Sequence, residues 1–168
     1  MTRSASRTVG VEEELLLVTA ADGRPVALGE AVVRAESGSV DPELELTQID
    51  HEFKQEQAET ASEPQESLAE LRADLVQLRS DLADAARAGG AMAVAIATSP
   101  LKVRPHTTPD ERYQRMTEEF GLLARQQLTC GQHVHVSVDS REEGVAVLDR
   151  LRPWLAVLLA ISADSPFW

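Results

Sequence analysis

Three consecutive glutamates, Glu12-Glu13-Glu14, interrupt an otherwise apolar segment from Val9 to Val18. As a strand, this segment would alternate its side chains between two faces. Val11, Glu13, Leu15 and Leu17 then share one face, while Gly10, Glu12, Glu14, Leu16 and Val18 share the other. Glu12 and Glu14 would lie about 7 Å apart by strand rise. Like charges at that distance raise each other's pKa unless a cation sits between them. Glutamate is also a poor strand former, so something must offset the placement. The segment therefore reads either as a solvated strand face or as a pair of cation ligands.

A second candidate is His133-Val134-His135, where alternation puts both imidazoles on one face with Gly131 and Ser137. His-x-His in a strand suits a metal site, yet two ligands do not complete one, and hydrogen-bonded histidines are the commoner outcome. Glu59 is the third. It shares its face with Gln57 and Gln55 just before a long helix, where it would be either a ligand-reaching carboxylate or a rim charge. Cys130 has no CxxC partner and reads as a small core residue. The sequence contains no GxGxxG, GxxxxGK[ST] or GxSxG, so phosphate binding would not use a glycine-rich loop.

The elements that must position these residues follow from periodicity. After the first strand, Asp22-Gly23 signals a turn, and Pro25 to Leu28 is expected to return as a second short strand. Residues 29–50 read ambiguously, with a break at Ser37 to Ser39 and Pro42 beyond it. A strand is expected from Phe53 to Glu59. Leu68, Leu71, Leu75, Leu78 and Leu82 recur at steps of three and four, predicting a helix from Pro64 to Ala88 with its leucine stripe on a sheet. Ser62 and Gln65 are its expected capping box, and Gly89-Gly90 its stop. Ala91 to Thr98 and Leu128 to Val138 read as strands. A helix capped at Thr108, with Pro109 at its first position, should run to Arg125. Ser140 with Glu143 caps a last helix carrying Val145, Leu148, Leu151, Leu155 and Leu158 inward, kinked or divided at Pro153. This mixture predicts an α+β fold, an antiparallel sheet with helices on its outer face. Residues 1–8 are expected to be a disordered arm.

At 168 residues and 43% apolar content, the chain has the material for one cored domain. No apolar run reaches the roughly 20 residues of a membrane span, and no apolar stretch follows the N-terminal arginines as in a secretory signal. A single cysteine fits a reducing cytoplasm. The net charge of −12 concentrates between Asp41 and Asp74, where eleven acids face only Lys54 and Arg72. Such a surface repels phosphate backbones, so neither nucleic acid nor membrane is an expected partner.

Several segments, taken together and in order, resemble a known family. They are Gly10-Val11-Glu12-Glu13-Glu14, Gln57-Ala58-Glu59-Thr60, Glu111-Arg112-Tyr113 leading to Phe120-Gly121, Cys130-Gly131-Gln132-His133-Val134-His135-Val136, and Leu151-Arg152-Pro153-Trp154 leading to Ser165-Pro166-Phe167-Trp168. Their order resembles that of the bacterial ATP-dependent carboxylate–amine ligases with weak glutamate–cysteine ligase activity, the type 2 group of that superfamily. The resemblance implies a fold like the catalytic domain of glutamine synthetase, with an antiparallel sheet curved around a funnel. It implies that ATP phosphorylates a substrate carboxylate, such as the γ-carboxylate of glutamate, and that an amine attacks the acyl phosphate to form an amide. It also implies Mg²⁺ or Mn²⁺ as cofactor. Glu12 and Glu14 match the family's first pair of metal-binding glutamates, and Glu59 the strand carboxylate of the metal and amino-acid site. His133 matches a histidine that contacts metal or nucleotide phosphate. Less carries over to Gln57 and to His135, where related ligases place asparagine. Glu13 should point away from the funnel.

Family members are about twice as long, and their second half supplies further strands, another metal carboxylate and basic residues. Residues 9–168 are thus expected to be an N-terminal portion, a reading that the aromatic pair ending the chain also suggests. Half a sheet would expose an edge. The expected partners are glutamate or a similar carboxylate, an amine or cysteine, and either further copies of the chain or a missing C-terminal half. Two other readings compete: a non-catalytic remnant or assembly module of the same fold, and a metal-dependent hydrolase built on His133 and His135.

Overall fold

Strand β1, Val9–Val18, is hydrogen-bonded to three of the other four strands of a five-stranded sheet. The structure is a computed structural model that describes residues 7–37 and 49–163. On one edge β1 pairs antiparallel with β3, Gln57–Ala61, which in turn pairs with β2, Ile49–His51. Residues 12, 13 and 16 of β1 are bonded on both sides, so β4, Met92–Val94, and β5, Gln132–Val136, lie end to end along the opposite edge. Every pairing is antiparallel, and helices complete an α+β fold.

The predicted alternation of β1 is observed, and it divides the strand in two. From Leu15 to Val18 both faces are buried. Leu15 and Leu17 pack with Val32, Ile49, Ala58, Leu82 and Ala86, while Leu16 and Val18 pack with Leu128 and Cys130. The N-terminal half of β1 has only one covered face. Val11 and Glu13 are buried there, whereas Glu12 and Glu14 face partly open space. The apolar half anchors the strand, and the acidic half is presented by it.

Several elements differ from expectation. Pro25 makes only a bridge to Val18 before helix α1, Gly29–Ser37, begins. The strand stops because the Leu28 carbonyl is taken by the Val32 amide as the helix starts. A Cβ at Gly29 would lie 3.0 Å from the Gln57 carbonyl oxygen, so glycine lets α1 approach β3 closely. The strand expected from Phe53 begins only at Gln57. Residues 52–56 turn instead, with the Gln57 amide bonded to the Lys54 carbonyl and the Gln55 amide to that of His106. Helix α2, Leu68–Ala88, is capped by Ser67 with Glu70 rather than by Ser62 with Gln65. Ser62 is engaged elsewhere, accepting from the Val11 amide, and Gln65 bridges Val9. Leu71, Leu78 and Leu82 of the stripe are buried, whereas Leu68 is exposed. β4 and β5 are shorter than the strands expected there. Helix α3, Glu111–Phe120, is capped by Asp110, because Thr108 donates its hydroxyl to the Glu52 carbonyl instead. Gly121, at φ 55°, separates it from the short α4, Leu122–Gln126.

The last helix is capped by Ser140 and divided at Pro153, as expected, into α5, Arg141–Leu151, a 3-10 turn, and α6, Leu155–Ser162. Its apolar residues do not face inward. Val145, Leu148, Leu155 and Leu158 are exposed, as are Leu159 and Ile161, at 71% and 76%. Periodicity identified an apolar face correctly but could not say whether the described chain covers it. Of the expected arm, residues 1–6 lie outside the described residues, while Arg7 and Thr8 are hydrogen-bonded to Ser137. The break expected at Ser37 to Ser39 lies outside them beyond Ser37, as do Pro42 and residues 164–168.

Candidate functional site

In an antiparallel sheet, directly paired residues share a face. The register pairs Glu14 with Glu59 and Leu16 with Gln57 across β1 and β3, and Glu59 with Asp50 across β3 and β2. On the other side of β1, Glu12 pairs with His133 and Gly10 with His135. Four strands therefore bring Asp50, Glu59, Gln57, Glu14, Glu12, His133 and His135 to one face. Glu12, Glu14, Glu59 and His133 all line one pocket of about 440 Å³, to which Glu52, Arg112 and Tyr113 also contribute.

Within this pocket, Glu14, Glu52 and Glu59 each offer an oxygen within 4.8 Å of the others. Glu14 is fixed from two sides, with Oε2 accepting from the Gly131 amide at 2.9 Å and from Gln57 Nε2 at 3.1 Å. Gln57 also donates to the Thr129 carbonyl, so this buried amide orients Glu14. Burial pushes the Glu14 carboxyl above its ordinary value, against the opposing pull of the Gly131 N–H. Burial, then the charges of Glu52, Glu12 and Glu14, push Glu59 up to about 7. Tyr113 is raised to about 12 by burial and by Glu52. These are the marks of partly desolvated anions, and an all-oxygen donor set in such a setting fits a hard divalent cation.

Alongside lies a second group. Glu12 Oε2 is 3.0 Å from His133 Nδ1 and 2.9 Å from His135 Nε2. The bonds to His135 and His133 draw the Glu12 carboxyl below its usual range, and Glu12 correspondingly raises His133.

Glu13 points away from the pocket, as expected. It is buried on the other face, where Arg79 of α2 grips it with Nε at 2.7 Å and Nη2 at 2.6 Å, and Gln132 Nε2 donates at 2.8 Å. This strut ties α2 and β5 to the middle of β1, holding Glu12 and Glu14 on the opposite side. Arg79→Ala should leave a buried carboxylate without its cation. The expected loss is about 2 kcal/mol in urea denaturation, less than for a fully buried pair because Arg79 is half exposed. Adding Glu13→Leu to that variant should recover part of the loss.

Sequence reasoning missed Glu52, which stands seven residues before Glu59. It lies between β2 and β3, in a turn where residue parity no longer reports the face.

A model of the glutamate–cysteine ligase family 2, GCS2, matches residues 8–168. The chain belongs to glutamate–cysteine ligase family 2. It is 49% identical over its whole length to "Putative glutamate--cysteine ligase 2-1" of Paenarthrobacter aurescens (strain TC1), of which it covers 44%. It is 51% identical, also over its whole length, to "Putative glutamate--cysteine ligase 2-2" of Frankia alni (strain DSM 45986 / CECT 9034 / ACN14a), covering 46% of that relative. The Streptomyces coelicolor relative (strain ATCC BAA-471 / A3(2) / M145), "Putative glutamate--cysteine ligase 2", is 48% identical over 96% of this chain and 44% of its own. This family 2 chain thus spans less than half the length of the curated relatives it matches. No helix among the described residues is long and apolar enough to cross a membrane.

Proposed function

We propose that this family 2 chain is the N-terminal part of an ATP-dependent carboxylate–amine ligase with glutamate–cysteine ligase-type activity. The observation that carries the reading is the placement of Glu12, Glu14, Glu59 and His133 in one pocket by strand register. Glu14, Glu52 and Glu59 would hold Mg²⁺ or Mn²⁺, which when bound neutralises charge on the phosphates of ATP. In the overall reaction the γ-phosphoryl group passes from ATP to a substrate carboxylate, giving ADP and an acyl phosphate. An amine then attacks the acyl carbon and expels phosphate. His133 is suited to a phosphate oxygen, since its hydrogen bond to Glu12 favours the charged form of the imidazole. Arg112, lining the same pocket, suits the carboxylate of an amino-acid substrate. The glutamine synthetase-like funnel belongs to the same proposal, with residues present in the longer relatives completing it. A cytoplasmic setting, where ATP and glutamate are available, fits the reading.

The test joins this chain to the C-terminal portion of the Frankia relative and measures ADP release. Release should require glutamate together with cysteine or another amine. Glu12→Gln should lower turnover by more than about a hundredfold, since it removes a charge from a preorganised electrostatic site. ADP release independent of both amino acids, from a folded chimera, would defeat the proposal.

One observation favours a second reading, an assembly role: α6 presents apolar residues to solvent along its whole length. The occupant of that face would be either the remaining part of the family fold or another copy of this chain.

A further inference from the structure

We infer that His106, which does not line the pocket, is a positioning residue for the carboxylate of Glu52. It acts through the buried Glu56 and through the segment from Pro105 to Thr108. The inference rests on the reading that Glu14, Glu52 and Glu59 hold a divalent cation, and adds what keeps the third of them in place.

Strand pairing places Glu14 and Glu59 opposite each other, whereas Glu52 stands in the turn between β2 and β3. The far end of that turn is tied to the core. There the Leu17 amide donates to the Glu56 carbonyl at 2.7 Å, and the Gly29 amide to the Gln55 carbonyl at 2.8 Å. The near end is held from another side. Thr108 donates its hydroxyl to the Glu52 carbonyl at 2.6 Å and its amide to the Phe53 carbonyl at 3.0 Å. The Phe53 amide in turn donates to the Glu52 carboxylate. Lys54 and Thr107 form an antiparallel bridge, with Nζ 3.1 Å from Oγ1, and the Gln55 amide donates to the His106 carbonyl at 2.9 Å. Residues 105–108 thus lie along residues 52–56 as an extended strap. Pro105 and Pro109 stiffen it, since each restricts its own backbone and that of the residue before it.

Glu56 fastens the strap. Its carboxylate is only 1% exposed, and a buried anion of this kind must be met by donors. His106 supplies two, its backbone amide 3.0 Å from Oε2 and its ring Nδ1 2.6 Å from Oε1. Hydrogen bonds to an ionised acceptor are among the stronger ones. The imidazole itself is 65% exposed, so this contact rather than burial of the ring is what it contributes. β1 therefore holds the Glu56 backbone, Glu56 holds His106, and Thr108, two residues on, holds Glu52. Release of the strap would move Glu52 against Glu14 and Glu59, which strand pairing keeps in place. Groups that orient cation ligands from outside typically change affinity by about 10–100-fold when removed.

The test titrates the chain with Mn²⁺ by calorimetry and follows amide exchange by NMR. His106→Ala should weaken Mn²⁺ about tenfold, whereas His106→Asn, whose amide N–H can stand in for Nδ1, should cost less than about twofold. In a Glu52→Gln background, His106→Ala should change affinity by less than about twofold, because the group it positions has lost its charge. Without any cation, His106→Ala should speed exchange of the Gln55 and Thr108 amides at least about tenfold and leave the Leu17 amide unchanged, which also shows that the variant is folded. Unchanged Mn²⁺ affinity in a folded His106→Ala would overturn the inference. So would an equal loss with and without the Glu52 carboxylate, since His106 would then act through another group. A loss in His106→Asn as large as in His106→Ala would overturn the part assigned to Nδ1 and with it the inference. Wild-type protein that binds no Mn²⁺ would remove the parent reading as well, whereas Mn²⁺ binding indifferent to His106 would remove only this one.

Discussion

Glu59→Gln is expected to remove most of the pH dependence of divalent-cation binding and to weaken Mg²⁺ or Mn²⁺ by more than about a hundredfold. Burial and three neighbouring glutamates push the Glu59 carboxyl up to about 7. In the unfolded chain the same group titrates near 4.3. The cation-free native state therefore binds more protons between those values, so this group's contribution to stability is fully present below about pH 4.3 and is lost as pH rises through 7. A cation must displace that proton. Affinity should consequently rise with pH toward about 7 and level off above it, falling about tenfold per unit on the acid side. Calorimetry in buffers of different ionisation enthalpy would register the released proton. Thermal melts should show cation stabilisation at pH 8 that largely disappears at pH 5.5. In Glu59→Gln the amide mimics the protonated acid, so most of the proton release and of the pH dependence should disappear, leaving only what the buried Glu14 contributes. Cation affinity that is flat between pH 5.5 and 8 in the wild type would contradict this account of the pocket.

That pocket was partly legible in the sequence because strands obey a strict two-residue period. The alternation through Val11, Leu15 and Leu17 was enough to separate Glu13 from Glu12 and Glu14, and the same rule put His133 and His135 on one face. Which faces meet is a matter of register, set by pairings such as Glu14 with Glu59 that join residues far apart in the chain. Alternation cannot supply that. Nor could it warn that Phe53 and Gln55 lie in a turn, where hydrogen bonds to the Thr108 and His106 segment replace strand pairing. Glu52 was missed for the same reason, since it reaches the pocket from that turn. The helix caps were displaced where a better partner existed, as when the Val11 amide took Ser62. In each case local propensity was outweighed by a tertiary hydrogen bond, which no window of sequence contains.

The chain as it stands should associate with itself, and Leu148→Glu combined with Leu159→Glu should make it monomeric. α5 and α6 carry a helical apolar face, with Leu148 at 62% and Leu159 at 71% exposure, and Trp154, Leu155 and Ile161 add to it. Valines on the β5 side, Val134 and Val136, are exposed as well. Apolar patches beyond a few hundred Å² are uncommon on monomeric proteins and mark interaction surfaces. Burying one leucine contributes about 1.5–3 kcal/mol, so placing two charges there should weaken association by more than about a hundredfold. Sedimentation velocity over a range of concentrations would measure it, with dye binding to exposed apolar surface as a second readout. Joining the C-terminal portion of a family 2 relative should suppress association in the same way if that portion occupies the face. A wild-type chain that stays monomeric at every concentration, with no dye binding, would mean that the two helices pack against the sheet in solution and that Val145, Leu148 and Leu155 face inward after all.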